Sequence, residues 1–96
     1  MRTGRDQYSA IYSAQLEAEA KWLAIGAVEK ANSIERLVSP WLSHPKRIVE
    51  LGAGTGAIIA ELQRRNFADA YVAVDYSSDA TEYMKRNLMN VEVLRA

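Results

Sequence analysis

The sequence contains no cysteine, which excludes disulfide bonds, thiolate zinc sites, iron–sulfur clusters and a thiol nucleophile. Its single histidine, His44, lies in the short segment SHPK, where we expect an exposed loop residue without a catalytic role. Long apolar runs are also missing. The N-terminal segment MRTGRDQYSA has no apolar stretch typical of a signal peptide, and no charge-free segment is long enough to cross a bilayer. We therefore expect a soluble, cytoplasmic protein without a membrane partner.

Charge of one sign is not in excess, because 12 basic residues balance 12 acidic residues. The paired basic residues at 46–47, 64–65 and 85–86 are far apart in the sequence, and each pair has acidic or apolar neighbours. This pattern is typical of a solvated surface with mixed charges, so no nucleic-acid partner is predicted. A length of 96 residues fits one small domain or part of one.

The N-terminal part of the sequence has a helical pattern from Arg5 to about Leu42. Helix-forming residues dominate it, and six apolar residues recur at spacings that place them on one helix face. Gly26 predicts a kink or a break between two helices, because glycine costs about 1 kcal/mol relative to alanine inside a helix. The residues of the predicted apolar face are Val28, Ala31, Ile34, Leu37, Val38 and Trp41.

From residue 47 onward, short β-branched runs alternate with helical patterns. RIVEL, AYVAVD and VEVLRA predict three strands, of which the first is expected to be buried. TGAIIAELQRRNF and SSDATEYMKRNLM predict the helices between them, the second with Ser77 or Ser78 as its N-cap. The order βαβαβ predicts an α/β fold with a parallel sheet, right-handed crossovers and helices on both faces.

Three glycines follow the first predicted strand in the segment IVELGAGTGAII. A glycine-rich turn between a parallel strand and a helix lets a ligand approach the main chain at the carboxyl edge of the sheet. Asp75 ends the second strand 23 positions after Gly52, where an acid can accept hydrogen bonds from ribose hydroxyls. The alternatives are a tight turn without a ligand and an Asp75 that caps the next helix. The spacing favours a ligand that contains a nucleoside.

Glu50 distinguishes between two kinds of nucleoside ligand. Gly52, Gly54 and Ala57 also fit the dinucleotide pattern G-x-G-x-x-G/A, which is typical of oxidoreductases that bind a nicotinamide cofactor. A carboxylate at the end of the strand would repel the pyrophosphate of such a cofactor. The same carboxylate would attract the ammonium and sulfonium groups of S-adenosylmethionine.

The segments VELGAGTG and VAVDYS resemble the first two motifs of class I S-adenosylmethionine-dependent methyltransferases. The resemblance implies a Rossmann-like three-layer αβα fold, of which residues 46–96 would form a partial domain with the first three strands. It implies that Glu50 holds the methionine end of the cofactor, that Asp75 binds the ribose and that Tyr76 packs against the adenine. It also implies a cofactor-lining turn made of Gly52, Ala53, Gly54 and Gly56.

Residues 1–45 loosely resemble the helical segment that covers the cofactor in many methyltransferases of small molecules. Tyr8, Tyr12 and Trp22 could form a lid, and Lys30 could reach the cofactor carboxylate. For each residue the alternative is a role in helix packing or as a solvated lysine. The methyl acceptor is expected to be a small molecule.

Members of this family have further strands, which this sequence does not contain. The acceptor pocket and the catalytic residues therefore cannot be assigned, and the chain is expected to be a fragment or to pair its open sheet edge with itself or with another chain. Two other functions stay open. One is a fragment of a nicotinamide-dependent oxidoreductase, and the other is a non-catalytic module that pairs with a partner.

Overall fold

A computed structural model describes the backbone of residues 4–96 and, within that range, the side chains of residues 11, 14, 15 and 17–96. The elements confirm the predicted order of a helical segment followed by βαβαβ and the predicted α/β class. They are α1 (Gly4–Val38), β1 (Arg47–Leu51), α2 (Ala57–Arg64), β2 (Ala70–Asp75), α3 (Ser78–Asn87) and β3 (Glu92–Arg95).

Helix α1 is one continuous helix of 35 residues, so the predicted break at Gly26 is wrong. The cost of one glycine is small beside the hydrogen bonds and packing of a helix of this length. The predicted end near Leu42 is also wrong, because the helix ends at Val38. Pro40 explains the earlier end, since it has no N–H group and disfavours helical geometry at Ser39.

The buried face of α1 is narrower than the predicted apolar face. Ala27 and Ala31 are fully buried against the rest of the chain. Val28, Leu37 and Trp41 are exposed, although the sequence pattern placed them on the buried side. Small side chains therefore make the central contact, Ile34 packs against the core beside them, and Val28 and Leu37 face solvent.

The three strands form a parallel sheet in the order β1-β2-β3. In the register, Ile48 is opposite Tyr71 and Val49 is opposite Val72. Because side chains alternate along a strand, Ile48 and Tyr71 lie on one face of the sheet and Val49 and Val72 lie on the other. The order matches two successive right-handed crossovers in the same direction.

All three helices pack on the face that carries Ile48 and Tyr71. The expectation of helices on both faces is therefore met on one face only, and the second helical layer of an αβα fold is absent from residues 4–96. Crossovers that both step in the same direction place their helices on the same face. The buried core on this face contains Ala31, Ala53, Ile59, Leu62, Ala68, Tyr71, Ala73 and Met84.

An ion network joins α1 to α2. Glu61 is buried and accepts hydrogen bonds from Arg64 and from Arg65 Nε, the latter at 2.6 Å. These bonds, the one from Arg64 first, hold the pKa of Glu61 below its usual value. Arg65 also donates to the Val28 carbonyl at 3.1 Å and lies 3.4 Å from a Glu35 carboxylate oxygen. The network joins α1 to the C-terminal end of α2.

Candidate site at the carboxyl edge of the sheet

The glycine-rich turn connects β1 to α2. Gly52, Gly54 and Gly56 have φ angles of 67°, 60° and 76°, all in the left-handed region that side chains disfavour. Gly56 is the N-cap of α2 and makes no side-chain cap. The turn therefore depends on glycine at all three positions for its backbone conformation, as the sequence pattern predicts.

Several N–H groups of the turn already have partners within the chain. The Ala53 N–H donates to the Val74 carbonyl at 3.0 Å, and the Gly56 N–H donates to the Ala53 carbonyl at 2.9 Å. The Gly54 N–H donates to Asp75 Oδ2 at 2.9 Å. These three donors are directed into the protein and do not form a cradle for a phosphate.

Asp75 links the turn to the start of α3. Its Oδ1 accepts from the Ser77 N–H at 3.0 Å, while its Oδ2 holds Gly54. Ser77 in turn is the N-cap of α3, because its hydroxyl oxygen accepts from the Ala80 N–H at 3.2 Å. This confirms Ser77 as the predicted N-cap. A carboxylate oxygen can accept more than one hydrogen bond, so the half-buried Asp75 keeps acceptor capacity for a ligand.

Glu50 lies beside the glycine turn on the face of the sheet that carries the helices. Its Oε1 atom is buried and makes no hydrogen bond. Burial raises the pKa of the Glu50 carboxyl, and the backbone N–H of Ile59 and the charge of Lys30 partly offset this rise. A buried carboxylate oxygen without a hydrogen-bond partner lowers the stability of the folded chain.

A cavity of about 220 Å³ joins Glu50 to the turn and to α1. Helix α1 contributes Leu23 and Lys30 to its wall. Lys30 was predicted from the sequence, whereas Leu23 was not. The neighbouring Trp22, considered for a lid, has an exposed side chain that does not line this cavity. The side chains of Tyr8 and Tyr12 lie outside the described residues.

The structure brings together most of the predicted site residues. Those that line the cavity are Glu50, Gly52, Ala53 and Gly54. Asp75 is connected to them through its bond to Gly54. Gly56 contacts Met84 and Leu88 of the neighbouring helix segment instead. Tyr76 does not line the cavity, and its exposed ring follows directly after Asp75 at the end of β2.

A larger cavity of about 650 Å³ lies near the amino ends of the strands. Its wall includes Arg36, His44 and Arg65. Two of these side chains have partners within the chain: His44 Nε2 is 2.8 Å from Asp69 Oδ1, and Arg65 bonds to Glu61. Ligands of parallel α/β sheets bind at the carboxyl ends of the strands, so the smaller cavity at the glycine turn is the better candidate site.

The parallel sheet in the order β1-β2-β3, the glycine turn after β1 and the acid at the end of β2 are the features of a Rossmann-like fold. The chain resembles the solved plantazolicin methyltransferase BamL, crystallised in complex with a triazolic desmethylPZN analog and SAH, with a TM-score of 0.64. The match covers 96% of this chain and 33% of that chain at 16% sequence identity. The likeness confirms the Rossmann-like fold that the motifs predict.

A curated protein is similar in sequence to part of this chain. The chain is 36% identical over 63 residues to chondramide synthase cmdD from Chondromyces crocatus. The matched part is 65% of this chain but only 2% of the synthase. No family model matches the chain.

The helices and the acidic side chains within residues 4–96 bear on two other kinds of site, a membrane span and a metal centre. No helix in this range is long and apolar enough to cross a membrane. In the part of the chain that the structure describes, no three His, Asp or Glu side chains are grouped so that they could hold a metal ion.

Proposed function

We propose that the chain is the cofactor-binding part of an S-adenosylmethionine-dependent methyltransferase. The observation that carries the proposal is the buried Oε1 atom of Glu50, which has no hydrogen-bond partner beside the glycine-turn cavity. An acceptor in that position fits a ligand that donates hydrogen bonds and carries positive charge. The ammonium group of the cofactor's methionine end has both properties.

The hydrogen bonds of the turn favour this ligand over a nicotinamide dinucleotide. The N–H groups of Ala53, Gly54 and Gly56 donate within the chain, whereas a pyrophosphate needs free N–H donors. The Glu50 carboxylate would also repel a pyrophosphate. The oxidoreductase alternative therefore keeps only the glycine spacing and the acid after β2, which the methyltransferase proposal explains equally well.

Asp75 is the residue that we propose for the ribose hydroxyls. It lies at the end of β2 and is fixed from two sides by Gly54 and Ser77. Tyr76 follows it with an exposed ring, which is available to stack on an adenine. Lys30, on the wall of the cavity, is available for the carboxylate of the methionine end.

The methyl group is activated by the sulfonium of S-adenosylmethionine, so the protein has mainly to hold the two reactants in line. We propose a small-molecule methyl acceptor and a cytoplasmic location, and a division of the chain at residue 45 into a covering segment and a cofactor-binding part. The SAH in the structure of the plantazolicin methyltransferase supports the cofactor assignment.

Isothermal titration with three ligands tests the proposal. S-adenosylhomocysteine contains the amino-acid end and the nucleoside, 5′-methylthioadenosine contains only the nucleoside, and NADH is the control for the dinucleotide alternative. We expect the first two ligands to bind and NADH not to bind. Tighter binding of NADH than of S-adenosylhomocysteine would refute the proposal.

Two variants separate the two ends of the ligand. A hydrogen bond to a charged group contributes about 1.5–3 kcal/mol, so Glu50→Gln is expected to weaken S-adenosylhomocysteine roughly 10- to 100-fold. The same variant is expected to leave 5′-methylthioadenosine almost unaffected. Asp75→Asn is expected to weaken both ligands, because both contain the ribose. Equal losses for both ligands in Glu50→Gln would contradict the role given to this carboxylate.

A further inference from the structure

Helix α1 carries a second apolar face on its solvent side. Ile11, Trp22 and Ile25 are 59%, 78% and 70% exposed. Ala14 and Ala18 are also exposed, and spacings of three and four residues place all five on one side of the helix. We call these five residues the outer strip. Adjoining exposed apolar residues of this kind mark a binding surface.

The outer strip faces away from the core of its own chain. Ala18 lies nine residues before the buried Ala27, which is about two and a half helical turns, so the two residues point in opposite directions. Beyond Ile25, the same line along the helix continues with Glu29 and Arg36, which are exposed and charged. The apolar character of this side therefore ends at Ile25.

The first turns of α1 offer this strip for packing. Between Gly4 and Glu19, every side chain that the structure describes is exposed. Further along the helix, Ala20 and Ala24 line a cavity with α2 and α3. Most of the stability of a helix in a protein comes from the packing of an apolar face, so a partner on the outer strip would stabilise these turns.

The outer strip has the symmetry that pairing with its own copy requires. Ile11 and Ile25 each lie seven positions from Ala18. In a pair with two-fold symmetry, residue i contacts residue j and j contacts i. An antiparallel second copy, with the axis at Ala18, therefore places Ile11 of each copy against Ile25 of the other. A partner of different sequence would not require this symmetry.

The order of large and small side chains selects the antiparallel direction. Trp22 and Ala14 each lie four positions from Ala18, so antiparallel pairing sets each indole against a small side chain. Trp22 would enter a hole of four residues spaced i, i+3, i+4 and i+7, which is how side chains pack between paired helices. Parallel pairing would instead set Trp22 against Trp22. The four residues of the hole are Ile11, Ala14, Gln15 and Ala18.

The charges beside the outer strip are also complementary. Glu17 and Lys21 are exposed and lie four residues apart on one flank of the strip. The two-fold axis at Ala18 brings Lys21 of each copy beside Glu17 of the other. The core sides of the two helices, marked by Ala27, point away from each other, so the bodies of the two copies do not collide.

We propose that the outer strip binds the outer strip of a second copy of the chain, in an antiparallel pair of α1 helices with a two-fold axis at Ala18. The strip is about 21 Å long and about 10 Å wide. This is small for a protein interface, so we expect dissociation in the micromolar range. Leu23 and Lys30 line the glycine-turn cavity from other sides of α1, so the pairing does not depend on the ligand of that cavity.

Sedimentation velocity of the 96-residue chain tests the pairing. We expect monomer to give way to dimer between about 1 and about 500 µM. Ile25→Glu sets a carboxylate against Ile11 of the other copy and is expected to weaken the pair more than about tenfold. Leu37→Glu is the matched control, because Leu37 also lies on α1 and is 73% exposed but is outside the outer strip. It is expected to leave the dimer unchanged.

Two further variants test the direction and the axis. Ile11→Lys is expected to weaken the pair, and its combination with Ile25→Glu is expected to recover at least about tenfold in affinity over Ile25→Glu alone, because opposite charges then meet at both ends. Parallel pairing would bring like charges together. The chain has no cysteine, so Ala18→Cys is expected to give a covalent dimer under mild oxidation, and Leu37→Cys is not.

Several results would overturn the proposal. These are a chain that stays monomeric at the highest concentration, equal effects of Ile25→Glu and Leu37→Glu, and no recovery in the double variant. A monomeric chain would mean that the outer strip binds something other than its own copy. If far-UV circular dichroism shows that Ile25→Glu loses helix, oxidation of Ala18→Cys and Leu37→Cys decides the question, because both leave the other residues of the strip unaltered.

Discussion

Replacing Gly56 with alanine tests how closely the glycine turn packs against the segment that ends α3. A Cβ at this position would lie 2.6 Å from Leu88 Cδ1 and 3.1 Å from Met84 Sδ. The backbone has φ of 76°, which costs a residue with a side chain about 1–2 kcal/mol. Overpacking costs about 1–3 kcal/mol more. We expect Gly56→Ala to lower the free energy of unfolding by about 2–5 kcal/mol, out of a total of roughly 5–14 kcal/mol for a domain of this size.

Gly52→Ala and Gly54→Ala are the matched controls. Both positions have a positive φ, and neither has an atom within 4 Å of an added Cβ. Only the conformational cost of about 1–2 kcal/mol applies to them. Urea unfolding followed by far-UV circular dichroism measures the difference, since both tryptophans are exposed and are expected to give a weak fluorescence signal.

If Gly56→Ala is no less stable than Gly52→Ala, the close packing of residue 56 against Leu88 and Met84 is refuted. Leu88 Cδ1 is the end of a flexible side chain, so its rotation could relieve part of the clash. A double-mutant cycle with Leu88→Ala checks this, because removing the clashing methyl group is expected to restore at least about 1 kcal/mol in the alanine background. The absence of coupling would mean that Leu88 is not the neighbour that limits residue 56.

Three further perturbations have expected outcomes in urea unfolding. Tyr71→Phe is expected to cost about 1–3 kcal/mol, because the buried hydroxyl accepts from the Ala68 N–H and donates to the Leu62 carbonyl; an unchanged midpoint would contradict this. Gly26→Ala is expected to stabilise the chain by about 0.5–1 kcal/mol, and a loss would mean that α1 is not continuous there. Burial raises the pKa of Glu50 above 4.5, so the folded chain holds this proton more tightly and stability falls as pH rises from 4.5 through the raised pKa. Glu50→Gln is expected to remove that fall above pH 4.5, and an unchanged slope would count against it.

Local sequence signals were sufficient to predict the elements whose ends are marked by residues that end a strand or cap a helix. AYVAVD forms β2 at the predicted residues, because a β-branched run ends at an acid and a capping serine. The same kind of reasoning failed at Gly26, since an isolated helix and a helix that packs along its length differ in how much glycine they tolerate. The end of α1 was decided by Pro40, which the sequence contains, but the apolar pattern beyond it suggested a longer helix.

Burial was harder to predict than secondary structure. The apolar composition of RIVEL suggested a strand that is covered on both faces, whereas the helical face is covered and the face of Val49 and Leu51 is open. The composition of a strand shows that its side chains can be buried, but it does not show which element packs against each face. For the same reason the apolar face of α1 was predicted too wide, because which of its apolar residues touch α2 depends on how the two helices cross.

The residues of the site were predicted from the sequence, but the hydrogen bond between two of them was not. Glu50, Gly54 and Asp75 were each chosen from their place in the motif, and the structure adds that Gly54 and Asp75 are bonded to each other. A bond between residues 21 positions apart requires the sheet register, which no local pattern provides. Leu23 was missed because α1 presents it to the cavity while the larger Trp22 faces solvent.

The bond between Asp75 and Gly54 changes how the two proposed ligand contacts have to be interpreted. Asp75 shapes the turn through Gly54 and begins α3 through Ser77, so replacing it with alanine would disturb the turn as well as any ribose contact. Asparagine keeps one acceptor oxygen, but its NH2 group would face the N–H of either Gly54 or Ser77, so the stability of this variant has to be measured beside its ligand binding. Glu50 differs, because its Oε1 atom has no partner in the chain and its burial opposes its charge. A variant that lost ligand affinity while gaining stability would be explained only by a carboxylate kept for a ligand, and Glu50→Gln is the substitution for which that combination is expected.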